Sequence, residues 1–329
     1  MAKAGFYVPV VDIADFRAGG HEDRARVARE FGDALERVGF VAITGHGVDP
    51  GLVDATYHAV QDFFALPYSE KARSNPPEQV KMRGYLPVGI ESVAATLDAR
   101  APADLCEALV FAGLSRTAPR PEAKPNIWPA QPVGLRDLVT RYDAAMVALG
   151  RRLVRLAAIA LDLPEDYLDP YFAEPGVTLR FVNYPDQPDA PLAGQLRYGA
   201  HHDYGGLTIL RQDSAPGGLQ VCDPAGTWHD VPPSPDSFII NVGDLMSRWT
   251  NGRWRSTLHR VINPPRDLTG STQRLSMVQF FSPNEESEIA CLETCVSAAN
   301  PARWPPVIAG AWVRAKLDKS MKLPADADS

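Results

Sequence analysis

His201 and Asp203 stand two residues apart in the run Ala200-His201-His202-Asp203-Tyr204. On an extended strand, side chains two apart share a face, so an imidazole and a carboxylate at this spacing can converge on one point. His259, within Ser256-Thr257-Leu258-His259-Arg260-Val261, can add a third ligand from a separate segment. Two imidazoles and one carboxylate on one side of a metal leave its other positions open. That set suits iron(II), which has to bind a co-substrate and oxygen together. His202 competes with His201 for the position, but it points to the opposite side from Asp203, so the spacing favours His201. An HxD pair alone occurs in many loops, and a lone strand histidine is more often a hydrogen-bonded structural residue than a ligand.

A second pair has the same spacing. Arg274 and Ser276 flank Leu275 on a predicted strand and can face one pocket. A guanidinium beside a hydroxyl makes a carboxylate clamp, because the arginine fork grips two oxygens at fixed geometry. A dicarboxylate held there could reach a metal with its other end. Tyr184 offers a phenol to the same carboxylate, although simple strand packing explains it as well. Around these residues lie Phe181, Tyr198, Tyr204 and Phe281, with Tyr85 from the middle of the chain and Trp312 near its end. As a group they suit the wall of a pocket for a small, partly apolar ligand. For any one of them, a place in the core is the simpler reading.

The elements that position these groups follow from periodicity. Eight short β-rich runs, 178–184, 196–201, 206–211, 218–222, 227–231, 237–241, 256–262 and 274–281, alternate with Gly, Pro, Asp and Asn turns. That pattern predicts a two-sheet jelly roll or barrel. Before it, 133–162 reads as a long helix with one apolar stripe that includes Leu135, Tyr142, Met146, Leu149, Leu153 and Leu156, a support for a sheet. Further helices are predicted near 22–38, 50–65 and 308–320, with strands at VPVVDI and at Phe40 to Thr44. The spacing predicts one catalytic unit over 1–329: a mixed region 1–130, the supporting helix 131–175, the barrel 176–290 and a C-terminal lid region 291–329.

Bulk properties narrow the function. The formal net charge of −7 and the absence of a basic stripe argue against nucleic acid as the main partner. No run approaches a membrane span, and the N-terminus lacks a signal-peptide pattern, so a cytoplasmic protein with a small-molecule substrate is expected. The four cysteines, Cys106, Cys222, Cys291 and Cys295, are too few at this length for a disulfide framework and read as ordinary thiols.

Taken in order, GFVAITGHGV, FFALPYSEKAR, RGYLP, DLCEALVF, NIWP, GAHHDYGGLTIL, the stretch from Gly218 to Val261 and RLSMVQFFSPN resemble the isopenicillin N synthase-like family of iron(II)/2-oxoglutarate-dependent oxygenases over nearly the whole chain. The resemblance implies an α+β fold with a double-stranded β-helix (jelly-roll) core and flanking helices. It implies Fe(II) at His201, Asp203 and His259, with O2 as co-substrate. It also implies that Arg274 and Ser276, assisted by Tyr184, bind the distal carboxylate of 2-oxoglutarate. The expected reaction is hydroxylation, desaturation or ring closure of a small organic metabolite. One position departs: Val182 stands where many plant members carry Asn in Arg-x-Asn-x-Tyr. Two other readings compete. One is an oxidase of the isopenicillin N synthase type, which uses no 2-oxoglutarate and whose Arg-x-Ser pair binds a substrate carboxylate. The other is a barrel that binds a small molecule and has lost its chemistry; the intact ligand and clamp positions weigh against it.

Overall fold

The computed structural model describes residues 6–80, 82–97, 102–117 and 123–320. Its strands, in chain order, are β1 (Val10–Asp12), β2 (Phe40–Thr44), β3 (Gly84–Leu86), β4 (Glu107–Ala112), β5 (Gly176–Tyr184), β6 (Tyr198–His201), β7 (Leu207–Gln212), β8 (Leu219–Cys222), β9 (Trp228–Asp230), β10 (Phe238–Val242), β11 (His259–Val261), β12 (Arg274–Ser282), β13 (Glu288–Ile289) and β14 (Val307–Ile308). The helices are α1 (Ala14–Ala18), α2 (His21–Arg37), α3 (Pro50–Phe64), α4 (Tyr68–Lys71), α5 (Leu135–Ala160), α6 (Asp244–Trp249) and α7 (Ala309–Ser320). All eight runs expected from 178 onward are strands, with ends shifted by a few residues.

The larger sheet runs β1-β2-β10-β7-β12-β5-β4-β3 and the smaller β6-β11-β8-β9. Apart from the parallel β1–β2 pair, the pairings in both are antiparallel. Two apolar groups lie between the sheets. Phe40, Ala42 and Ile239 of the larger sheet meet Leu219 and Val221 of the smaller, and Val182 and Tyr184 meet Val261. The outer face of the larger sheet packs on α5, α2 and α3 in the main core. This is a double-stranded β-helix with flanking helices. β3 and β4 extend the sheet; the Pro-, Arg- and Glu-rich composition of the middle segment hides them from a periodicity reading.

Strand alternation decides what each residue of β5 and β12 does. Leu275, Met277 and Phe281 join Val177, Leu179 and Phe181 in the helix-side core. Arg274, Ser276 and Val278, with Arg180, Val182 and Tyr184, take the other face. The core side is closely fitted: Phe281 stacks on Phe172 at 5.3 Å between ring centroids. A Cβ on Gly150 of α5 would come within 2.8 Å of the Phe281 ring, so glycine is what lets the helix pass over it. No helix among the described residues is long and apolar enough to cross a membrane.

Candidate metal centre and its cavity

His201 ends β6, and His259 begins β11 directly opposite it in the antiparallel register. Their rings lie 4.1 Å apart, centroid to centroid. Asp203 follows just past the strand end. One ligand atom from each of the three residues falls within 4.8 Å of the other two, and all three residues are buried. His202 does not join them; its Nδ1 lies 3.4 Å from the Ser256 hydroxyl.

The protonation pattern fits a cation. His201 Nδ1 is 3.0 Å from the Gly199 carbonyl and His259 Nδ1 is 3.0 Å from the Thr257 carbonyl. A carbonyl can only accept, so each Nδ1 carries a proton, and in the neutral ring that leaves the Nε2 lone pair for a metal. These Nε2 atoms sit 3.5 Å and 3.7 Å from the same Asp203 Oδ1. The other oxygen, Oδ2, accepts from Thr208 Oγ1 at 2.5 Å and Asn241 Nδ2 at 2.6 Å, which leaves Oδ1 for a metal. Burial, reinforced by His201, lowers the His259 pKa to about 4, so that imidazole is neutral near pH 7. Burial pushes the Asp203 carboxyl up, but His259, His201 and the Thr208 hydroxyl outweigh it and keep the carboxylate ionised.

Arg274 and Tyr184 are cross-strand partners, and Ser276 lies on the same face. All three are buried. The Arg274 fork is engaged here: Nη1 donates to the carbonyls of Asp213 and Ala215, each at 3.0 Å, and Nη2 donates to Gln212 Oε1 at 2.8 Å. Arg197 lies close by and is fully buried. Its two terminal nitrogens donate to the Pro216 and Thr272 carbonyls, and its guanidinium lies 5.9 Å from the Tyr184 ring.

A cavity of about 900 Å³ opens beside His201 and Asp203. Tyr198 and Tyr204 line it, together with Phe280, Arg180 and Thr178, and with Ala309, Gly310, Val313, Arg314 and Leu317 of α7. Arg274, Ser276 and Tyr184 lie outside its lining. Four expected wall residues, Phe181, Phe281, Tyr85 and Trp312, lie outside its lining. Phe181 and Phe281 are fully buried on the helix side of the sheet, because each is an odd number of residues from the clamp residue on its own strand. Tyr85 is buried against Phe63 and donates its hydroxyl to Glu107. Trp312 belongs to α7 as expected, and its Nε1 donates to the Tyr204 carbonyl at 3.2 Å.

Several contributors escape the sequence. Thr208 and Asn241 fix Asp203; their positions on predicted strands are the one available signal. Asp104, its pKa pushed up to about 6 by burial, accepts the Gly199 N–H at 2.8 Å and so anchors the residue whose carbonyl orients His201. Glu91, which pairs with Arg180, carries no local motif.

Residues 175–283 match the 2OG-Fe(II) oxygenase superfamily, and residues 8–131 match the N-terminal region of non-haem dioxygenases in morphine synthesis. The chain is 32% identical over 312 residues to a 2-oxoglutarate-Fe(II) type oxidoreductase of Aspergillus fumigatus, covering 91% of this chain and 88% of that one. It is 31% identical to a homoarginine-6-hydroxylase of Oryza sativa subsp. japonica, covering 88% and 89%. Among solved structures, a Neurospora crassa protein in complex with alpha-KG and thymine superposes with a TM-score of 0.84 at 26% identity, covering 97% of this chain and 98% of that one. A buried two-histidine, one-carboxylate centre in a double-stranded β-helix, with these relatives, places the chain in the iron(II)- and 2-oxoglutarate-dependent oxygenase family, a family of enzymes that use O2 as co-substrate.

Proposed function

We propose that His201, Asp203 and His259 hold iron(II), that Arg274, Ser276 and Tyr184 take the distal carboxylate of 2-oxoglutarate, and that the adjoining cavity receives a small organic metabolite. The observation that carries this reading is the convergence of two Nε2 lone pairs and one free carboxylate oxygen on a single buried point. When bound, iron(II) and 2-oxoglutarate supply oxygen activation, 2-oxoglutarate leaving as succinate and carbon dioxide while the substrate is hydroxylated, desaturated or closed into a ring.

The chain's own residues do the rest. The Gly199 and Thr257 carbonyls hold the imidazole tautomers, and Thr208 and Asn241 hold the carboxylate in one orientation. At the clamp, the two buried guanidiniums of Arg274 and Arg197 are offset by Asp213, 3.3 Å from Arg274. That leaves a cationic surplus suited to an anion. The α7 helix covers the cavity and limits water at the reacting carbon. The names of the relatives favour a 2-oxoglutarate-dependent reaction over the oxidase alternative. The four unpaired thiols suit a reducing compartment and support a cytoplasmic reading.

The test is succinate formation from 2-oxoglutarate in the presence of iron(II) and oxygen. Arg274→Ala should raise the KM for 2-oxoglutarate by the equivalent of about 3–5 kcal/mol, the cost of removing one partner of a buried charge pair. Arg274→Lys should also be poor, because a point charge cannot grip two oxygens. Turnover of any substrate that proceeds unchanged without 2-oxoglutarate would favour the oxidase instead.

A further inference from the structure

The charges around the cavity run against those of the chain. The protein carries a formal net charge of −7. Yet Arg83, Arg116, Arg180 and Arg314 all line the cavity, and the described carboxylates lining it outside the metal centre are Glu91 and Glu285. Glu91 is committed to Arg180: Nη1 donates to Oε1 at 3.0 Å, Nη2 donates to Oε2, and both side chains are nearly inaccessible. Glu285 is shared, accepting from Arg116 Nη2 and lying 3.6 Å from Arg314 Nη1. Arg83 makes no ion pair among the described residues; its Nη1 donates to the Met82 carbonyl at 2.8 Å.

The Nε–H groups of Arg83, Arg116 and Arg180 are buried and have no acceptor among the described residues, as is also true of the Nε–H groups of Arg152, Arg197, Arg248 and Arg274; Arg83 stands apart because it lines the cavity without an ion pair among those residues. A buried donor without a partner is costly, and more so when it is charged. Burial lowers the Arg83 pKa and Arg116 beside it lowers it further, with Glu285 offsetting only part of the effect, as expected where one carboxylate is shared among several guanidiniums. Three separate segments create this arrangement: the turn before β3 carries Arg83, the loop after β4 carries Arg116, and α7 carries Arg314. Arg314 is largely exposed, whereas His201 and Asp203 are buried, so the cavity wall includes both a charged, solvent-reaching part and the metal centre. Tyr198 and Phe280 supply apolar surface to the same cavity.

We propose that the substrate is a small organic acid whose carboxylate docks against Arg83 and Arg116, with the carbon to be oxidised reaching inward toward His201 and Asp203. A carboxylate presents two acceptor oxygens to the planar donors of the guanidinium, the match a neutral or cationic group lacks. The proposal rests on the oxygenase reading and adds the substrate class to it.

The experiment uses the full chain with iron(II) and 2-oxoglutarate under argon. Calorimetry then measures binding of matched sets built on the same aromatic or aliphatic bodies, such as 3-phenylpropanoate, 3-phenylpropanamide and 3-phenylpropan-1-amine. The acids should bind at least about tenfold more tightly than their amides, a step of about 1.4 kcal/mol, and the amines most weakly. Arg83→Gln and Arg116→Gln should each weaken acid binding by about tenfold while leaving the 2-oxoglutarate affinity within about twofold. Arg83→Lys should retain part of the effect. Should Arg116→Gln fail to fold with Glu285 left unpaired, the double variant Arg116→Gln/Glu285→Gln replaces it. Amides or amines that bind as well as the acids, a panel in which no acid binds, or acid binding indifferent to both substitutions would overturn the proposal. The oxygenase reading is scored separately, by 2-oxoglutarate consumption of the same preparation in air.

Discussion

The two faces of the β5–β12 pair make opposite demands on sequence. On the helix side, Val177, Leu179, Phe181, Leu275, Met277 and Phe281 are buried among α5 and its neighbours, and shape and apolar area decide which residues fit. On the inner side, Arg180, Tyr184, Arg274 and Ser276 are equally buried, and each is kept for its polar atoms. Burial therefore does not separate scaffold from chemistry in this protein; the parity of a residue along the strand does. The comparison predicts that substitutions on the two faces fail in different ways.

The largest effect belongs to the metal centre. Asp203→Ala should reduce turnover to background, and it removes the acceptor for Thr208 and Asn241, at a cost of about 1–3 kcal/mol in stability for a stranded buried donor. A variant with measurable wild-type turnover would break the assignment. On the outer face, Phe281→Ala should lower stability by about 3–5 kcal/mol through the cavity it leaves, while the KM for 2-oxoglutarate and the affinity for iron stay near the wild-type values. Denaturant melts paired with steady-state kinetics would check this. A Phe281→Ala protein that melts normally but binds co-substrate poorly would erase the distinction between the faces.

A smaller effect, on the order of 2–3 kcal/mol, should appear with pH in the metal-free protein. His259 has a folded pKa of about 4, below that of a free imidazole at about 6.5. The unfolded chain therefore takes up the proton first, and stability present above about pH 6.5 is lost as the pH falls toward 4. Replacing His259 by Asn, which does not titrate, should flatten that part of the stability curve; curves that stay parallel would contradict the burial argument. The smallest effect is expected for His202→Ala. That side chain contacts the Ser256 hydroxyl and stays out of the metal set, so iron affinity should hardly change.

Much of the fold and site is legible in the sequence where a period of two or a helical stripe is at work. The strands from 178 onward, α5 and the pairing of Arg274 with Ser276 all follow from spacing. The errors have the same origin. Phe181 lies three residues before Tyr184, and Phe281 lies seven after Arg274, so the rule that joins Arg274 to Ser276 also turns both phenylalanines away from the site. Parity along the strand, rather than proximity in sequence, decides which aromatics reach the cavity. The charged part of the cavity is not legible, because Arg83, Arg116, Glu285 and Arg314 belong to separate segments brought together by the sheet order and by α7. Glu91 and Asp104 lie in a stretch without periodicity, and tertiary contact alone gives them their roles.

Whether His201, Asp203 and His259 form the iron site can be read from anaerobic titration of the metal-free protein with iron(II), followed as equilibrium binding. One iron per chain is expected for the wild type and for His202→Ala, and loss of that binding in His201→Ala, Asp203→Ala and His259→Ala with the fold retained by circular dichroism. Binding that survives His201→Ala but disappears in His202→Ala would contradict that assignment.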